Sequence, residues 1–260
     1  TLYYQPRTRC RIINAELVSR VKLALERFPT YGYRRLACVL GENRKPIQRI
    51  LQLKGWQVRK RPQGCRPRAR SLPSIASRPD ERWATDLTYV WCGKDRRASL
   101  AVVIDCCTRE ILGWRLSDNG SSKTAEAALE EALIYRLGAL GRVHSPLALR
   151  SDNGLVFTAR LAGRKGGRNA FEKVLNANKI QQKNGRPGHP QTQGKIERFH
   201  QTLKKWINAR PPAKTVADLQ TLLNEFRDYY NTTRPHKALG RRTPHQAYTT
   251  GTKANPAHNP

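Results

Sequence analysis

Apolar and polar positions alternate along this chain with two different periods. In AELVSRVKLALERF (15–28), Leu17, Val21, Leu25 and Phe28 recur at helical spacing. A turn is expected at PTYG, then a second short helix over YRRLACVL (33–40) and another turn at GEN. KPIQRILQLKG (45–55) reads as a third helix. Pro46 suits its first turn, Ile47, Ile50, Leu51 and Leu53 supply its apolar stripe, and Gly55 suits its end.

From Arg82 the period shifts to two. RWATDLTYVWC (82–92), ASLAVVIDCC (98–107) and EILGWRLSD (110–118) read as three strands, the last two joined at Thr108-Arg109. SKTAEAALEEALIYRLG (122–138) is helical, PLALRSDNG (146–154) a short strand running into a turn, NAFEKVLNAN (169–178) a helix and KIQQKNG a short strand. A helix over 193–208 follows. Another spans TVADLQTLLNEFRDYYN (215–231), with Thr215 and Asp218 as a capping box. Three strands followed by alternating helices and strands predict an α/β fold with a mixed sheet.

The organisation expected from this pattern is an all-α domain over 1–58 and a basic linker over 59–80 rich in Pro, Arg and Ser. An α/β core over 81–210, a helical C-terminal extension over 211–248 and a disordered tail over 249–260 would complete it.

Charge changes the picture. The chain has 49 Lys and Arg against 19 Asp and Glu, a formal net charge of +30. More than half of that excess lies in residues 1–79. Such self-repulsion points to a polyanionic partner, nucleic acid first, with ribosomal or histone-like packaging as the plainer form of the same idea. No apolar run is long enough for a membrane span, and no signal-peptide pattern opens the chain. Cys10, Cys38, Cys65, Cys92, Cys106 and Cys107 form neither a CxxC pair nor zinc spacing, which suits a reduced cytosol. The chain begins at Thr1 and has no Met, so trimming at the N-terminus is expected.

The three short basic helices read either as a helix-turn-helix or as a generic helical mini-domain. On the first reading Arg34, Arg35, Lys45, Gln48, Arg49 and Lys54 are candidate DNA contacts. Arg66, Arg68 and Arg70 in the linker either follow a phosphate backbone or keep the linker solvated.

Three carboxylates stand out. Asp86 interrupts an apolar strand in WATDLTY. Asp152 sits at the end of a strand in RSDNG, where catalytic groups gather in open α/β sheets. Glu197 lies on a basic helix, GHPQTQGKIERFH, with Lys195, Arg198, His200, Lys204 and Lys205 nearby. On the helical wheel, Ile196, Phe199, Leu203 and Ile207 form the buried face, and Glu197, Gln201 and Lys204 lie roughly 100° round. Taken singly, each acid is as well explained by a cap, a turn or an ion pair. Lys204 and Lys205 suit either phosphates or a solvated face.

Together these stretches resemble insertion-sequence transposases of the DDE superfamily, whose catalytic core is shared with retroviral integrases. WATDLTY (83–89), VVIDCCTREILGW (102–114), LRSDNG (149–154), GHPQTQGKIERFHQTLK (188–204) and YYNTTRPHKALGRRTP (229–244) carry the resemblance. PTYGYRRL (29–36) and NRKPIQRILQLKGW (43–56) resemble the helix-turn-helix upstream in such enzymes. The resemblance extends over about residues 12 to 248. It implies an RNase H-like mixed-sheet core, preceded by a helix-turn-helix domain and followed by a helical extension, with Asp86, Asp152 and Glu197 as its catalytic acids. The stretch between Asp152 and Glu197 is longer than in many members. The extra length is expected in RLAGRKGGRN (160–169), as a tolerated surface insertion or a DNA-contacting loop. The zinc domain of retroviral integrases is absent, so no structural zinc is expected.

Oxygen ligands of this kind suit Mg2+ or Mn2+. The resemblance implies two ions, with Asp86 bridging them and Asp152 and Glu197 holding one each. It implies cleavage of the ends of a mobile element in double-stranded DNA and joining of the 3′-hydroxyls to target DNA. A homodimer or larger assembly on DNA, in the bacterial cytosol or nucleoid and away from membranes, is also implied. His189 would shape the approach to the last acid. Lys195, Lys204, Lys205, Arg234 and Arg241 would line a DNA path, joined by His236, Lys237 and Arg242. The alternatives are a catalytically inactive or domesticated DNA-binding derivative, and an RNase H-type nuclease without strand transfer.

Overall fold

The computed structural model describes residues 13–58, 75–93, 96–139, 142–159, 167–185 and 194–255. They fall into two compact units that divide between residues 66 and 67, inside the expected 59–80 linker, and residues 75–80 belong to the second.

The first unit holds α1 (Ala15–Arg27), α2 (Tyr33–Leu40) and α3 (Arg44–Leu53). Asn14 and Asn43 cap α1 and α3 by accepting the Leu17 and Lys45 amides at 3.1 and 3.2 Å. Leu17, Val21, Leu36, Ile47, Ile50 and Leu51 form its core, and Phe28 stacks on Tyr31 with centroids 4.8 Å apart. Gly41 closes α2 in the left-handed region at φ 67°. Leu53, expected on the apolar stripe of α3, is 57% exposed instead. It lies six positions after Ile47, about 240° round the helix, which turns it away from the core.

The second unit is a three-layer α/β/α fold. Its mixed sheet has the order β3-β2-β1-β4-β5, built from β1 (Arg82–Cys92), β2 (Arg96–Asp105), β3 (Ile111–Ser117), β4 (Ala148–Ser151) and β5 (Gln181–Asn184). The β1–β2 and β2–β3 pairs are antiparallel; β1–β4 and β4–β5 are parallel. Strand alternation sends Trp83, Ala101 and Val103 to one face, beneath α4 (Ser122–Leu137) and α5 (Ala170–Ala177). Ala84, Val90, Leu100, Val102 and Trp114 go to the other, beneath α6 (Gly194–Ile207) and α7 (Val216–Asp228). At Gly113 a Cβ would sit 2.4 Å from the Ala128 carbonyl oxygen, so only glycine lets α4 approach β3 this closely.

The C-terminal extension is not an appendage, because α7 completes the core. Leu219, Leu223 and Phe226 pack with Phe199, Leu203 and Trp206 of α6. The expected Thr215–Asp218 capping box is present, with bonds of 3.0 and 3.1 Å. A π-helical turn over Tyr229–Thr233 follows, from which the Asn231 amide bonds both the N–H and the C=O of Ile111 at 3.0 Å.

Disorder was expected from residue 249, and the structure differs. Thr249 and Thr250 finish α8 (Pro244–Thr250), and Asn255 is buried. Its Oδ1 accepts the His144 and Ser145 amides, and its Nδ2 donates to the Asp80 carbonyl. One polar side chain with three bonds is enough to dock a polar tail. Beneath it lies a buried network in which Arg136 donates to Asp80 and Glu110 at 2.9 and 2.8 Å and stacks on Tyr248. No described helix is long and apolar enough to cross a membrane.

Candidate active site

Asp86 sits on β1, the central strand, paired opposite Val102. Its parity matches Ala84 and Val90, so its side chain faces α6. Its Oδ1 accepts the Leu87 amide at 2.9 Å. Burial pushes its pKa up to about 6. The Leu87 bond opposes that, the charges of Asp152 and Glu197 raise it further, and Lys204 lowers it. Asp86 therefore senses both other acids.

Asp152 follows the last residue of β4 and is exposed. Its Oδ1 accepts the Gly154 amide at 2.8 Å, turning the chain away from the strand end. A Cβ on Gly154 would lie 3.0 Å from that oxygen. Asn153 donates to the Gly185 carbonyl at 2.8 Å, which ties the turn to the end of β5. Glu197 is exposed in the first turn of α6, where the helix dipole favours a carboxylate. Among the described residues, no three His, Cys, Asp or Glu side chains close into a ready-made metal cage. The three acids converge electrostatically without touching.

Sequence reasoning missed His200. It is buried beside Phe199, with Nδ1 3.5 Å from Asp86 Oδ2 and Nε2 without a hydrogen-bond partner among the described residues. Burial, then Lys204, lowers its pKa to about 4. The short distance alone would suggest an ion pair. Burial decides otherwise, since a ring this desolvated is neutral at pH 7 and packs beside Asp86 instead of pairing with it as a cation. The signal was present, because His200 follows Ile196 by four and precedes Leu203 by three, on the buried edge of α6.

The Integrase core domain models match residues 76–190 and 178–244. The InsD transposase of insertion element IS2 from Escherichia coli is 26% identical over 247 residues, covering 90% of this chain and 78% of that protein. A cryo-EM structure of the simian T-cell lymphotropic virus intasome, in complex with PP2A regulatory subunit B56 gamma, superposes with a TM-score of 0.54 at 18% identity. It covers 93% of this chain and 78% of that one. The HTLV-2 integrase catalytic core in complex with magnesium gives 0.49 at 18% identity, covering 66% of this chain and 98% of that one.

The chain belongs to the integrase-core family of DDE transposases.

It is thus a polynucleotidyl transferase with an RNase H-like core, in a family that acts on DNA with a divalent metal. The other expected contacts of this integrase-core enzyme divide clearly. Lys204 and Lys205 are exposed on α6, and Lys204 is close enough to shift both Asp86 and His200. Arg241 is exposed in a turn at φ 71°. Arg34, Lys45 and Lys54 are exposed on the first unit, while Arg35, Gln48 and Arg49 are half-buried. Arg35 lies over the Tyr31 ring.

Two of the expected contacts are engaged within the fold. Lys195 was expected on DNA, but it is half-buried and its Nζ donates to the Cys106 carbonyl at 2.9 Å, pinning α6 to the end of β2. Arg234 is 5% exposed, with its guanidinium on the Tyr229 hydroxyl at 3.3 Å and near the Tyr230 ring. It is an internal residue, packed by the π-helical turn. Arg66, Arg68, Arg70 and His189 lie outside the described residues.

Proposed function

We propose that this chain binds the ends of a mobile DNA element, cleaves them, and joins the freed 3′-hydroxyls to target DNA through Asp86, Asp152 and Glu197. The observation that carries this reading is the state of Asp86. Two further carboxylates, from a strand end and a helix, raise the pKa of one already desolvated. Like charges gathered this way are made compatible by a cation held between them. All three are oxygen donors, the set that suits Mg2+ or Mn2+. Bound divalent ions, two in this reading, supply an activated attacking oxygen and a stabilised leaving oxygen.

The chain's own residues do the rest. Asp86, fixed on the central strand, and Asp152, oriented by the Gly154 amide, would hold the ions from the sheet side. Glu197 would close over them from α6. His200 would back Asp86 from α6. Lys204 and Lys205 would take the phosphates of the strand being cut. Arg34, Arg35, Lys45, Gln48, Arg49 and Lys54 would read the element's ends, with Arg66, Arg68 and Arg70 along the backbone and Arg241 on the outer path. Two ends must be joined, which calls for a dimer or larger assembly on DNA. The bacterial cytosol or nucleoid is where such a reaction would run.

The test is an end-labelled duplex carrying the element's terminus, incubated with the chain and Mg2+, with both cut and joined products resolved. Asp152→Asn should abolish both products while leaving duplex binding within about twofold. Cutting without any joined product would reduce the reading to a nuclease.

A further inference from the structure

The distal end of the β1–β2 ribbon carries a feature that the carboxylate site does not use. Tyr89 and Trp91 are 52% and 62% exposed, although their strand lies at the centre of the sheet. Trp91 pairs directly with Arg97 across the ribbon and Tyr89 with Ser99, so all three side chains share one face. The Arg97 guanidinium lies 5.2 Å from the Tyr89 centroid and 5.7 Å from that of Trp91.

The core has no need of these rings. At the same level, Val90, Cys92, Ala98 and Leu100 are buried on the opposite face. On the ring-bearing face the chain around Gly120 closes over Leu87 and Ser99, where a Cβ would lie 2.7 and 3.1 Å from their side chains. Tyr89, Trp91 and Arg97 lie beyond that cover, and Arg115 is exposed on the same face. A cross-strand cation–π pair accounts for Arg97 against one ring. It does not account for two aromatic rings left open to solvent.

We propose that Tyr89, Trp91 and Arg97 form a stacking platform for unpaired bases of the DNA strand on which the carboxylates act. The inference rests on the function proposed above. Rings two residues apart on a strand are about 6.6 Å apart along it, which suits splayed bases, each with a free face. A paired duplex offers no such faces except at its end. The rings begin three residues beyond Asp86, about 10 Å along the strand and on the opposite face of the sheet. Pairing of β1 with β4 stops at Ala84, so beyond it no described strand covers that edge. A single strand leaving the acids can cross the open edge to the rings. A protein partner fits less well. Two rings of this kind offer roughly 300–500 Å2, below what a stable interface needs. The net charge of +30 also favours a polyanion.

The experiment measures binding of the full chain, in EDTA, to oligothymidylate of about 20 nucleotides and to a blunt duplex of the same length. Tyr89→Ala and Trp91→Ala should each weaken the single-strand affinity about tenfold and leave duplex affinity within about twofold. Trp91→Phe, which keeps a ring, should stay near wild type and guards against a folding artefact. Equal losses on both DNAs, or none, would overturn the proposal. So would an unchanged DNA affinity with an altered oligomeric state, which would assign the rings to a protein interface. EDTA keeps the result independent of catalysis. Ring-dependent single-strand binding in a chain that never cuts would sink the transposase reading and leave the platform standing; cutting with no ring dependence would do the reverse.

Discussion

His200 Nδ1 lies 3.5 Å from Asp86 Oδ2, and the same ring packs edge-on against Phe199 with centroids 5.5 Å apart. One neutral imidazole thus joins the hydrophobic core of α6 to the carboxylate on β1. His200→Ala should cut the rate of end cleavage more than tenfold while leaving the DNA dissociation constant nearly unchanged. It should also lower stability by about 1–3 kcal/mol through lost packing. His200→Asn, which keeps a donor near Asp86, should recover part of the rate. Parallel cleavage assays and thermal melts would check both.

Asp86 gives a pH signature. Its folded pKa is raised from 3.8 to about 6, so the folded state holds an extra proton between those values. The stability associated with the protonated form is complete below about pH 4 and is lost as pH rises through 6. Without metal, Asp86→Asn should therefore match wild type near pH 4 and exceed it by about 1–3 kcal/mol at pH 8. His200 runs the other way. Its depressed pKa removes stability as pH falls from 6.5 towards 4. Added Mg2+ should erase the advantage of Asp86→Asn at pH 8. Denaturant melts across that range would decide.

Gly154 and Gly113 separate activity from folding. A Cβ at 154 presses on Asp152 Oδ1 at 3.0 Å, and that carboxylate is exposed and able to turn. Gly154→Ala should lower cleavage severalfold or more while stability changes by less than about 1 kcal/mol. At 113 the obstacle is helix backbone at 2.4 Å. Gly113→Ala should cost several kcal/mol or prevent folding.

Arg136 bridges buried Asp80 and Glu110, with its side chain 2% exposed. Arg136→Ala should destabilise by about 3–5 kcal/mol, because it strands two buried acids. Asn255→Ala, in the docked tail above the same network, should cost about 1–3 kcal/mol. Melts of both variants test whether the C-terminal segment belongs to the folding unit.

Much of this was legible in the sequence. The strands at 82–92, 98–107 and 110–118 declared themselves through alternation, and the helices through periodicity and caps such as Thr215–Asp218. The three acids could be proposed only as a set, since each alone has an ordinary structural explanation. What escaped were residues whose charge hides their burial. Lys195 and Arg234 read as DNA contacts because a cation in a basic chain looks solvated. Only the packed structure reveals the Cys106 carbonyl and the Tyr229 hydroxyl that engage them. The tail read as disordered because its composition is polar, and composition cannot show that Asn255 meets three backbone groups from distant segments.

The most direct test of the central claim is Glu197→Gln. The substitution keeps the size of the side chain and its exposed place on α6 and removes only its charge. The account predicts that, with Mg2+ and a duplex ending in the element's terminus, the variant binds like wild type but yields neither cut nor joined strand. Cleavage and joining at wild-type rates would show that Glu197 is a surface charge on a basic helix, and that the site must be rebuilt without it.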